Sequence, residues 1–545
     1  MVMLVIFLFT AILCKLVYVT VAKGEELQVK ALEQWYRDVP IVAERGRITD
    51  RDGVVFAQCE TVYTLYCRPI ACTNKEYTAK VLAEKLELKY EATLQKISSR
   101  SSEVTIKKNL DKNTVLSIVN SGTTGLFISE SIKRVYPYGD FLTQLIGFTN
   151  VDCAGQTGIE AYYDKYLTGV NGYVLTESDL VGRVLQDGAT YYQTGTKGGD
   201  ACLTIDYEVQ AIAENAIKNC QLNTNAKSVS TIIMNPNTGE ILAMARTPSF
   251  DLNAVPRDNV AELMSLSRVN LVSDVFEPGS TFKIVTSAIG LDSGAIDLNY
   301  RCFCGGALVV DGQRIKCWRT IGHGSQSFVE GVQNSCNCLF MNIALAVGVE
   351  RFYEGIRAFG LTSKTGIDVS GEASGLTIKE SDVKTVDLAR IGFGQAIAVT
   401  PIELLRACAA VVNGGNLVTP YVMDKIIGSG GQVLYQGSPI IKSGVIKEST
   451  SKAMREVLET VVLTGSGKGA KVEGLRIGGK TGTAQKYANG AIARGKYVST
   501  FVGFAPADKP EYIALIVVDE PVGAYYGGIV AAPYVGQMFK NIFEA

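Results

Sequence analysis

The stretch Glu277–Ser287, EPGSTFKIVTS, places a serine and a lysine three residues apart, directly after a Pro-Gly turn. On a helix, residues with this spacing point to the same side, so the Ser280 hydroxyl would face the Lys283 amine. A hydroxyl beside an amine can be a nucleophile with its base. An S-x-x-K pair also arises by chance as an ordinary surface pair. The rest of the sequence has to distinguish the two interpretations.

A second short motif follows in VQNSCNCLF, where Ser335 and Asn337 lie two residues apart. In a loop or at a helix start, this hydroxyl and this amide can face one cleft. Ser335 could then relay a proton to a leaving amine while Asn337 holds a substrate amide. Taken alone, the motif also fits a polar helix start that is capped by the serine or the asparagine.

A third motif, GGKTGTAQ, contains Lys480, Thr481, Gly482 and Thr483. The lysine and the two threonine hydroxyls supply a cation and hydrogen-bond donors for a carboxylate. Gly482 would let a ligand approach the strand backbone, whose N–H groups can pair with a peptide-like substrate. On its own, K-T-G-T more often marks a strand with a turn.

The three motifs in this order are the set carried by penicillin-binding proteins and class A β-lactamases. Chance explains one such motif but not three in order. We therefore predict that Ser280 is the nucleophile and that Lys283 is its base, with a pKa lowered by its neighbours and by partial desolvation. A position at a helix N-terminus would add positive backbone potential for a developing oxyanion.

The whole chain has 545 residues, of which 47% are hydrophobic and 20% charged, enough for two to four domains. With a net charge of −1 and no long run of basic residues, it has no electrostatic footprint for nucleic acid. SVSTIIMNPNTGEILAMA predicts a hairpin, and YVSTFVGFAPA and EYIALIVVDEP predict strands near the C-terminus. With helices such as 331–347 and 400–412 between them, they predict one sheet built from both ends and covered by helices.

The N-terminal stretch MVMLVIFLFTAILCKLVYVTVA is apolar except for Lys15. Twenty-two helical residues span about 33 Å, enough to cross a bilayer, so we predict an uncleaved anchor. A cleaved signal peptide is the alternative, because residues 19–22, VTVA, form a passable cleavage site. A lipoprotein is less favoured, because Leu13 precedes Cys14 where a small residue would be expected.

The chain has thirteen cysteines, an odd number that excludes a fully paired intramolecular disulfide set. Five crowd the region after the nucleophile: Cys302, Cys304, Cys317, Cys336 and Cys338. Small buried hydrophobes are the plainest interpretation, and a redox-sensitive Cys317–Cys336 disulfide that distorts the cleft is an alternative. Their spacing matches no common zinc-ligand pattern, so zinc is not favoured. The single histidine, His323, is interpreted as structural, since the motifs already supply a base.

Beyond the motifs, the chain resembles the class B penicillin-binding proteins, the monofunctional peptidoglycan D,D-transpeptidases. The resemblance rests on the anchor with KGEELQVKALEQ, on RGRITDRDG, RVYPYGDFLTQLIGF and GQTGIEAYYDKYLTG, on the three motifs, and on IGFGQAIAVTPIELLRA. RDVPIVAERG, KTGTAQK and VSTFVGFAPADKPEY are most similar to the division-type branch, especially its sporulation-specific members.

This resemblance implies an α/β, multi-domain (α+β) architecture. Its catalytic part would have the serine penicillin-recognising transpeptidase fold, an antiparallel sheet covered by helices, behind an elongated pedestal and one transmembrane anchor. The expected units are the anchor, the pedestal or dimerisation domain, and the transpeptidase domain, at residues 1–22, 23–204 and 205–545.

The resemblance also implies roles for the motif residues. Ser280 would attack the penultimate D-Ala carbonyl of a stem pentapeptide, with Lys283 as base and release of the terminal D-Ala. Ser335 and Lys480 would carry the proton toward the leaving amine, and Asn337 would bind the substrate backbone. An amine from a neighbouring stem peptide would then resolve the acyl-enzyme. No metal or organic cofactor is implied.

In the third motif, Thr481 and Thr483 would hold the terminal carboxylate, with Gly482 between them in the substrate-binding strand. The backbone N–H groups of Ser280 and Thr483 would form the oxyanion hole. Penicillins, as mimics of D-Ala-D-Ala, would acylate the same serine.

The implied setting is a single-pass protein of the cell membrane with an extracytoplasmic catalytic domain. It would act on lipid-linked precursor strands in septal or spore-cortex wall synthesis, beside a membrane glycosyltransferase of the division or sporulation machinery. A class A β-lactamase is disfavoured because no E-x-x-L-N segment is present and the N-terminal half would be surplus. A β-lactam sensor would normally carry several spans. A division scaffold with a secondary transpeptidase stays an alternative.

Overall fold

The structure is a computed structural model that describes residues 2–27, 36–177, 190–488 and 491–545. It begins with an α-helix, Val2–Val17, that continues as a π-helical turn, Tyr18–Ala22. No residue of this apolar segment is buried. A helix of 21 such residues is long enough to cross a membrane, in agreement with the predicted anchor.

A seven-stranded sheet forms the base of the pedestal. Six of its strands lie in the order Val433–Gln436, Met423–Ile427, Asp200–Leu203, Ile48–Thr49, Val55–Cys67 and Val104–Leu110, and the seventh, Leu126–Val135, also pairs with Val55–Cys67. The helices Lys75–Leu86, Tyr90–Ile97 and Lys112–Val119 pack on the long strand and form a small core of their own with it. A separate three-stranded sheet contains Tyr36–Ile41, Gly172–Glu177 and Thr190–Gln193.

The sheet of the pedestal also takes strands from the C-terminal part of the chain. Asp200–Leu203 runs parallel to Ile48–Thr49 and antiparallel to Met423–Ile427. Directly after it, the Asp206 carboxylate caps the helix Tyr207–Thr224 by accepting bonds from two backbone N–H groups of its first turn. Two main parts of the chain are therefore joined by continuous strand pairing rather than by a free linker.

The C-terminal part of the chain is built on a five-stranded antiparallel sheet. Its strands lie in the order Ile241–Thr247, Ser228–Met234, Tyr512–Asp519, Ala491–Ala505 and Gly478–Ala488. The predicted hairpin around residues 235–239 is confirmed, since its two strands pair antiparallel. The prediction of one sheet built from both ends of this region is confirmed too, because Ser228–Met234 pairs with Tyr512–Asp519.

Helices cover both faces of this sheet, which explains why its central strand is apolar and buried at every position between its two end residues. Successive side chains of a strand point to opposite faces. In Tyr512–Asp519, Ile513, Leu515 and Val517 join the core beneath the helices Lys283–Asp292, Pro401–Val412 and Glu448–Leu463. The alternate residues join a second core beneath Tyr207–Thr224 and Ala532–Glu544.

Shorter elements complete the C-terminal part. The remaining helices are Val260–Ser267, Asn270–Ser273, Phe328–Gln333, Asn337–Val347, Val349–Ala358, Thr385–Ile391 and Gly527–Val530. Small antiparallel pairs join Arg301–Cys304 to Gly324–Ser327, Ala307–Val310 to Gln313–Lys316, Leu376–Thr377 to Ile397–Ala398, and Leu417–Val418 to Ile441–Lys442. The pedestal also contains Thr143–Ile146, Gly158–Tyr162 and Asp164–Leu167.

A buried ion cluster fixes the pedestal. Glu160 is fully buried and accepts bonds from Arg45 Nε at 2.6 Å and from Arg134 Nε at 2.7 Å. Both arginines are almost fully buried as well. The cluster therefore ties the segment RGRITDRDG to the short helix that carries Glu160.

We expect Glu160→Ala to lower the free energy of unfolding by about 3–5 kcal/mol, since it removes the buried carboxylate that both guanidinium groups share and leaves Arg45 paired with Asp164 alone. Urea unfolding followed by circular dichroism measures the change. Asp164→Ala is the matched control, because Asp164 pairs with Arg45 but is 41% exposed, and we expect a loss of less than about 1 kcal/mol. Equal effects of the two variants would contradict this account.

Candidate active site

The predicted nucleophile lies on a tight turn at the start of a helix. Ser280 occupies the 3-10 turn Gly279–Thr281, which leads into the helix Lys283–Asp292. Gly279 has φ +53°, a conformation that glycine adopts readily. The Thr281 hydroxyl donates to the Pro278 carbonyl at 2.6 Å and so fastens the turn. The residues on both sides of Ser280 are buried, while Ser280 itself is partly exposed to a cleft.

Lys283 lies beneath this turn and is 1% exposed. Its Nζ donates to the Ser335 carbonyl at 2.8 Å, to Ser335 Oγ at 3.1 Å and to Asn337 Oδ1 at 2.8 Å. Burial lowers the pKa of this amine to about 8. Within the described ranges the Ser280 hydroxyl makes no hydrogen bond; in enzymes such bonds often form only when substrate is present.

Ser335 marks a break in a helix that the sequence predicts as continuous. The predicted helix 331–347 is wrong at this point: Phe328–Gln333 and Asn337–Val347 are separate helices. Ser335 has φ +51°, a left-handed conformation that is uncommon for a residue with a side chain. The resulting turn directs the Ser335 hydroxyl toward two lysines and places Asn337 at the start of the second helix.

Lys480 contacts the same hydroxyl as Lys283. It is fully buried, and its Nζ lies 2.9 Å from Ser335 Oγ. Burial, and then the charge of Lys283, hold the pKa of Lys480 well below its ordinary value. A serine hydroxyl can accept from a charged amine and donate to a neutral one. Lys283, Ser335 and Lys480 therefore form a continuous path for a proton.

The third motif lies on an edge strand of the five-stranded sheet, Gly478–Ala488, so one side of its backbone is free to pair with an extended peptide. A Cβ on Gly482 would lie 2.3 Å from Thr500 Oγ1 and 3.0 Å from Thr281 Cγ2. Only glycine fits here, because the strand packs closely against the nucleophile turn. The Thr483 hydroxyl accepts from the Gly527 N–H at 3.1 Å, which leaves its own proton for a ligand.

One cleft of about 920 Å³ contains these groups. Ser280, Ser335, Asn337, Thr481, Gly482 and Thr483 all line it. The Lys283 and Lys480 side chains form its buried floor through their bonds to Ser335. The structure thus brings the eight residues singled out by the motifs into one site.

An aromatic wall of the cleft is not evident from the motifs. Tyr497 and Tyr525 stack with ring centroids 4.0 Å apart, Tyr526 packs beside them, and Trp318 lines the same cleft. These residues come from distant segments and share no spacing. Only their aromatic character could have drawn attention to them. They offer apolar surface for the stem of a peptide or the side chain of an inhibitor.

Comparison with known proteins gives two family matches. Residues 229–544 match the family described as penicillin binding protein transpeptidase domain, and residues 40–203 match the penicillin-binding protein dimerisation domain. The chain is 38% identical to stage V sporulation protein D of Bacillus subtilis, over 98% of this chain and 83% of that protein. It is 29% identical to the peptidoglycan D,D-transpeptidase FtsI of Escherichia coli K12, over 92% of this chain and 84% of that protein.

The fold is shared with a solved structure. Penicillin binding protein 2X from Streptococcus thermophilus superposes with a TM-score of 0.80 over 93% of this chain and 80% of that chain. At 22% identity, this similarity concerns the fold alone.

Proposed function

The chain belongs to the class B penicillin-binding proteins, and we propose that it crosslinks peptidoglycan through an acyl-enzyme on Ser280. Its homologues are named peptidoglycan D,D-transpeptidases. The observation that carries the proposal is the buried path from Lys283 through Ser335 to Lys480, directly beneath the turn that presents Ser280.

In the first step, Ser280 Oγ forms a bond to the penultimate D-Ala carbonyl of a stem pentapeptide. Its proton passes to Lys283 Nζ, which acts in the neutral form that its lowered pKa makes accessible. The backbone N–H groups of Ser280 and Thr483 stabilise the oxyanion. The position of Ser280 at a helix start and that of Thr483 on an edge strand support this assignment.

In the second step, the bond to the terminal D-Ala breaks and its amine takes a proton through the Ser335 hydroxyl. Lys480 supports this relay through its own contact with the Ser335 hydroxyl. An amine of a second stem peptide then attacks the acyl-enzyme, the ester bond to Ser280 breaks, and the serine recovers its proton. The products are a crosslinked peptide and free D-Ala.

Substrate binding is assigned to the edges of the cleft. Thr481 and Thr483 hold the terminal carboxylate, and the peptide lies along the strand at Gly482, which lines the cleft between them. The Asn337 amide binds the substrate backbone. Its orientation is already fixed, since Oδ1 accepts from Lys283 and Nδ2 donates to the Lys316 carbonyl at 3.3 Å. Penicillins enter the same site and acylate Ser280.

For the cellular setting, we assign residues 1–22 to the anchor, 23–204 to the pedestal and 205–545 to the transpeptidase. The similarity to a sporulation protein and to a division protein supports a role in septal or spore-cortex wall synthesis. The similarity to peptidoglycan D,D-transpeptidases supports a catalytic part outside the cytoplasm, where lipid-linked strands are crosslinked. The strands it joins would come from a membrane glycosyltransferase, which is the partner that we propose.

The test is a reaction of the purified full-length protein in detergent with a synthetic stem pentapeptide and an acceptor amine. We expect release of D-Ala together with the crosslinked product, both detected by mass spectrometry, and their loss after treatment with penicillin. Hydrolysis without crosslinking would contradict the transferase assignment. Turnover of neither kind would favour a division scaffold.

The pH dependence of acylation tests the role of Lys283. A base acts in its neutral form, so the second-order rate constant for penicillin should rise about tenfold per pH unit below the pKa and level off above it. Because burial lowers this pKa to about 8, we expect the break near pH 8. Stopped-flow measurement with a chromogenic β-lactam gives the profile. A rise that continues to about pH 10, the ordinary range of a lysine, would contradict the assignment.

A further inference from the structure

Three cysteines and the single histidine of the chain meet behind the second motif. The ligand atoms of Cys304, Cys317, His323 and Cys336 all lie within 4.8 Å of one another. The three cysteines are almost fully buried and carry free thiols. The four residues come from three elements: Cys304 ends the strand Arg301–Cys304, Cys317 and His323 lie in the loop between Gln313–Lys316 and Gly324–Ser327, and Cys336 precedes the helix Asn337–Val347.

The histidine has the position of a metal ligand and little other bonding. His323 Nδ1 lies 3.7 Å from Cys317 Sγ, and Nε2 is buried without a hydrogen-bond partner among the described residues. In a tetrahedral zinc site, with Zn–S of about 2.3 Å and Zn–N of about 2.0–2.1 Å, neighbouring sulfur and nitrogen ligands lie about 3.6 Å apart. This pair therefore already has the separation of one edge of such a tetrahedron.

We propose that Cys304, Cys317, Cys336 and His323 bind one zinc ion. Three thiolates and an imidazole are a common donor set for structural zinc, and four protein ligands leave no open position for catalysis. Binding releases the three thiol protons, so the ion with its ligands has a net charge of −1. Cys338 lies next to the same sulfurs but is not part of the four-atom group.

The ion would hold the second motif in place. Cys336 lies between Ser335 and Asn337, whereas Cys304 and Cys317 belong to the segment 301–327. Protein contacts already join these two segments, since Trp318 Nε1 donates to the Asn334 carbonyl at 3.0 Å. A metal at this point would fix the left-handed conformation of Ser335, and with it the path between Lys283 and Lys480.

The alternative to zinc binding is a disulfide formed by two of the same thiols. A disulfide between Cys317 and Cys336 would take two of the four ligands and prevent metal binding. The two states are mutually exclusive, so the metal and thiol contents of one sample decide between them.

The test uses full-length protein purified in detergent under anaerobic conditions, without chelators. We expect about one zinc per chain by plasma mass spectrometry. Reconstitution with cobalt(II) should give the visible absorption of a tetrahedral thiolate site. Cys317→Ser and His323→Ala should lose both signals. Cys202→Ser is the matched control, because Cys202 lies outside the cluster in the strand Asp200–Leu203, and it should keep both.

A functional readout follows from the positioning role. Removal of zinc by a chelator should lower the rate of acylation by penicillin by roughly 10–100-fold, the effect typical of groups that position a site, and added zinc should restore it. Metal content is measured independently of acylation, so a failure of the proposed transpeptidase activity would not be confused with a failure of the zinc site.

Three results would overturn the proposal. One is fully reduced wild-type protein that binds neither zinc nor cobalt. Another is a Cys317–Cys336 disulfide in protein trapped by acid quenching and alkylation directly from cells. The third is equal metal binding by a folded Cys317→Ser variant, which would place the metal elsewhere. Because the cobalt spectrum is measured on wild-type protein, the test stands even if a variant fails to fold.

Discussion

Replacement of Ser280 by alanine should abolish both covalent capture of penicillin and peptide crosslinking, with rates reduced by roughly 10⁴-fold or more, as for other serine acyl-transfer enzymes that lose their nucleophile. The reason is geometric: Ser280 is the motif serine that is both exposed to the cleft and placed at a helix start above the buried amine of Lys283. Intact mass spectrometry after incubation with penicillin measures the loss.

A serine of the same helix provides the control. Ser287 is fully buried in Lys283–Asp292, and its hydroxyl has no hydrogen-bond partner among the described residues, so Ser287→Ala should react at close to the wild-type rate. If Ser280→Ala still forms the adduct at a comparable rate, another residue is the nucleophile. If Ser287→Ala also abolishes the adduct, the effect reflects damage to the helix rather than chemistry.

Replacement of Lys283 should have the second-largest effect. We expect both Lys283→Ala and Lys283→Arg to lower the acylation rate by about 10²–10⁴-fold, the range for loss of a general base. Arginine keeps the positive charge but is not deprotonated in proteins, so it separates basicity from charge. Stopped-flow acylation measures the rates, and thermal unfolding checks that each variant folds.

The arginine variant decides this prediction. A Lys283→Arg protein with near wild-type activity would show that the buried group acts through its charge, and the base would have to be sought elsewhere. A variant that retains acylation but loses crosslinking would instead assign Lys283 to the second step.

Much of the site could be predicted because each motif is local. Ser280 and Lys283 lie within one turn of chain, and Lys480 to Thr483 lie in one strand, so short-range spacing alone fixes which side chains share a face. The apolar N-terminal helix and the sheet built from both ends were predicted for a similar reason, whereas the fold class was implied by the family resemblance. Long apolar runs and turn residues indicate strands and spans wherever they occur.

Other features depend on contacts between distant segments, which spacing does not encode. The left-handed conformation of Ser335 interrupts a stretch whose apolar pattern is helical throughout. The pairing of Asp200–Leu203 with Met423–Ile427 joins segments more than two hundred residues apart. The cysteine and histidine cluster fails the spacing rules for zinc because three separate elements supply its ligands.

Peptide mapping of the wild-type protein after reaction with a penicillin tests the central claim most directly. Trypsin should release residues 269–283, VNLVSDVFEPGSTFK, which contain the nucleophile turn. We expect one acyl group per chain, located on Ser280 by fragmentation of this peptide. An acyl group on Ser335 or on a cysteine, or no adduct on folded and reduced protein, would contradict the account.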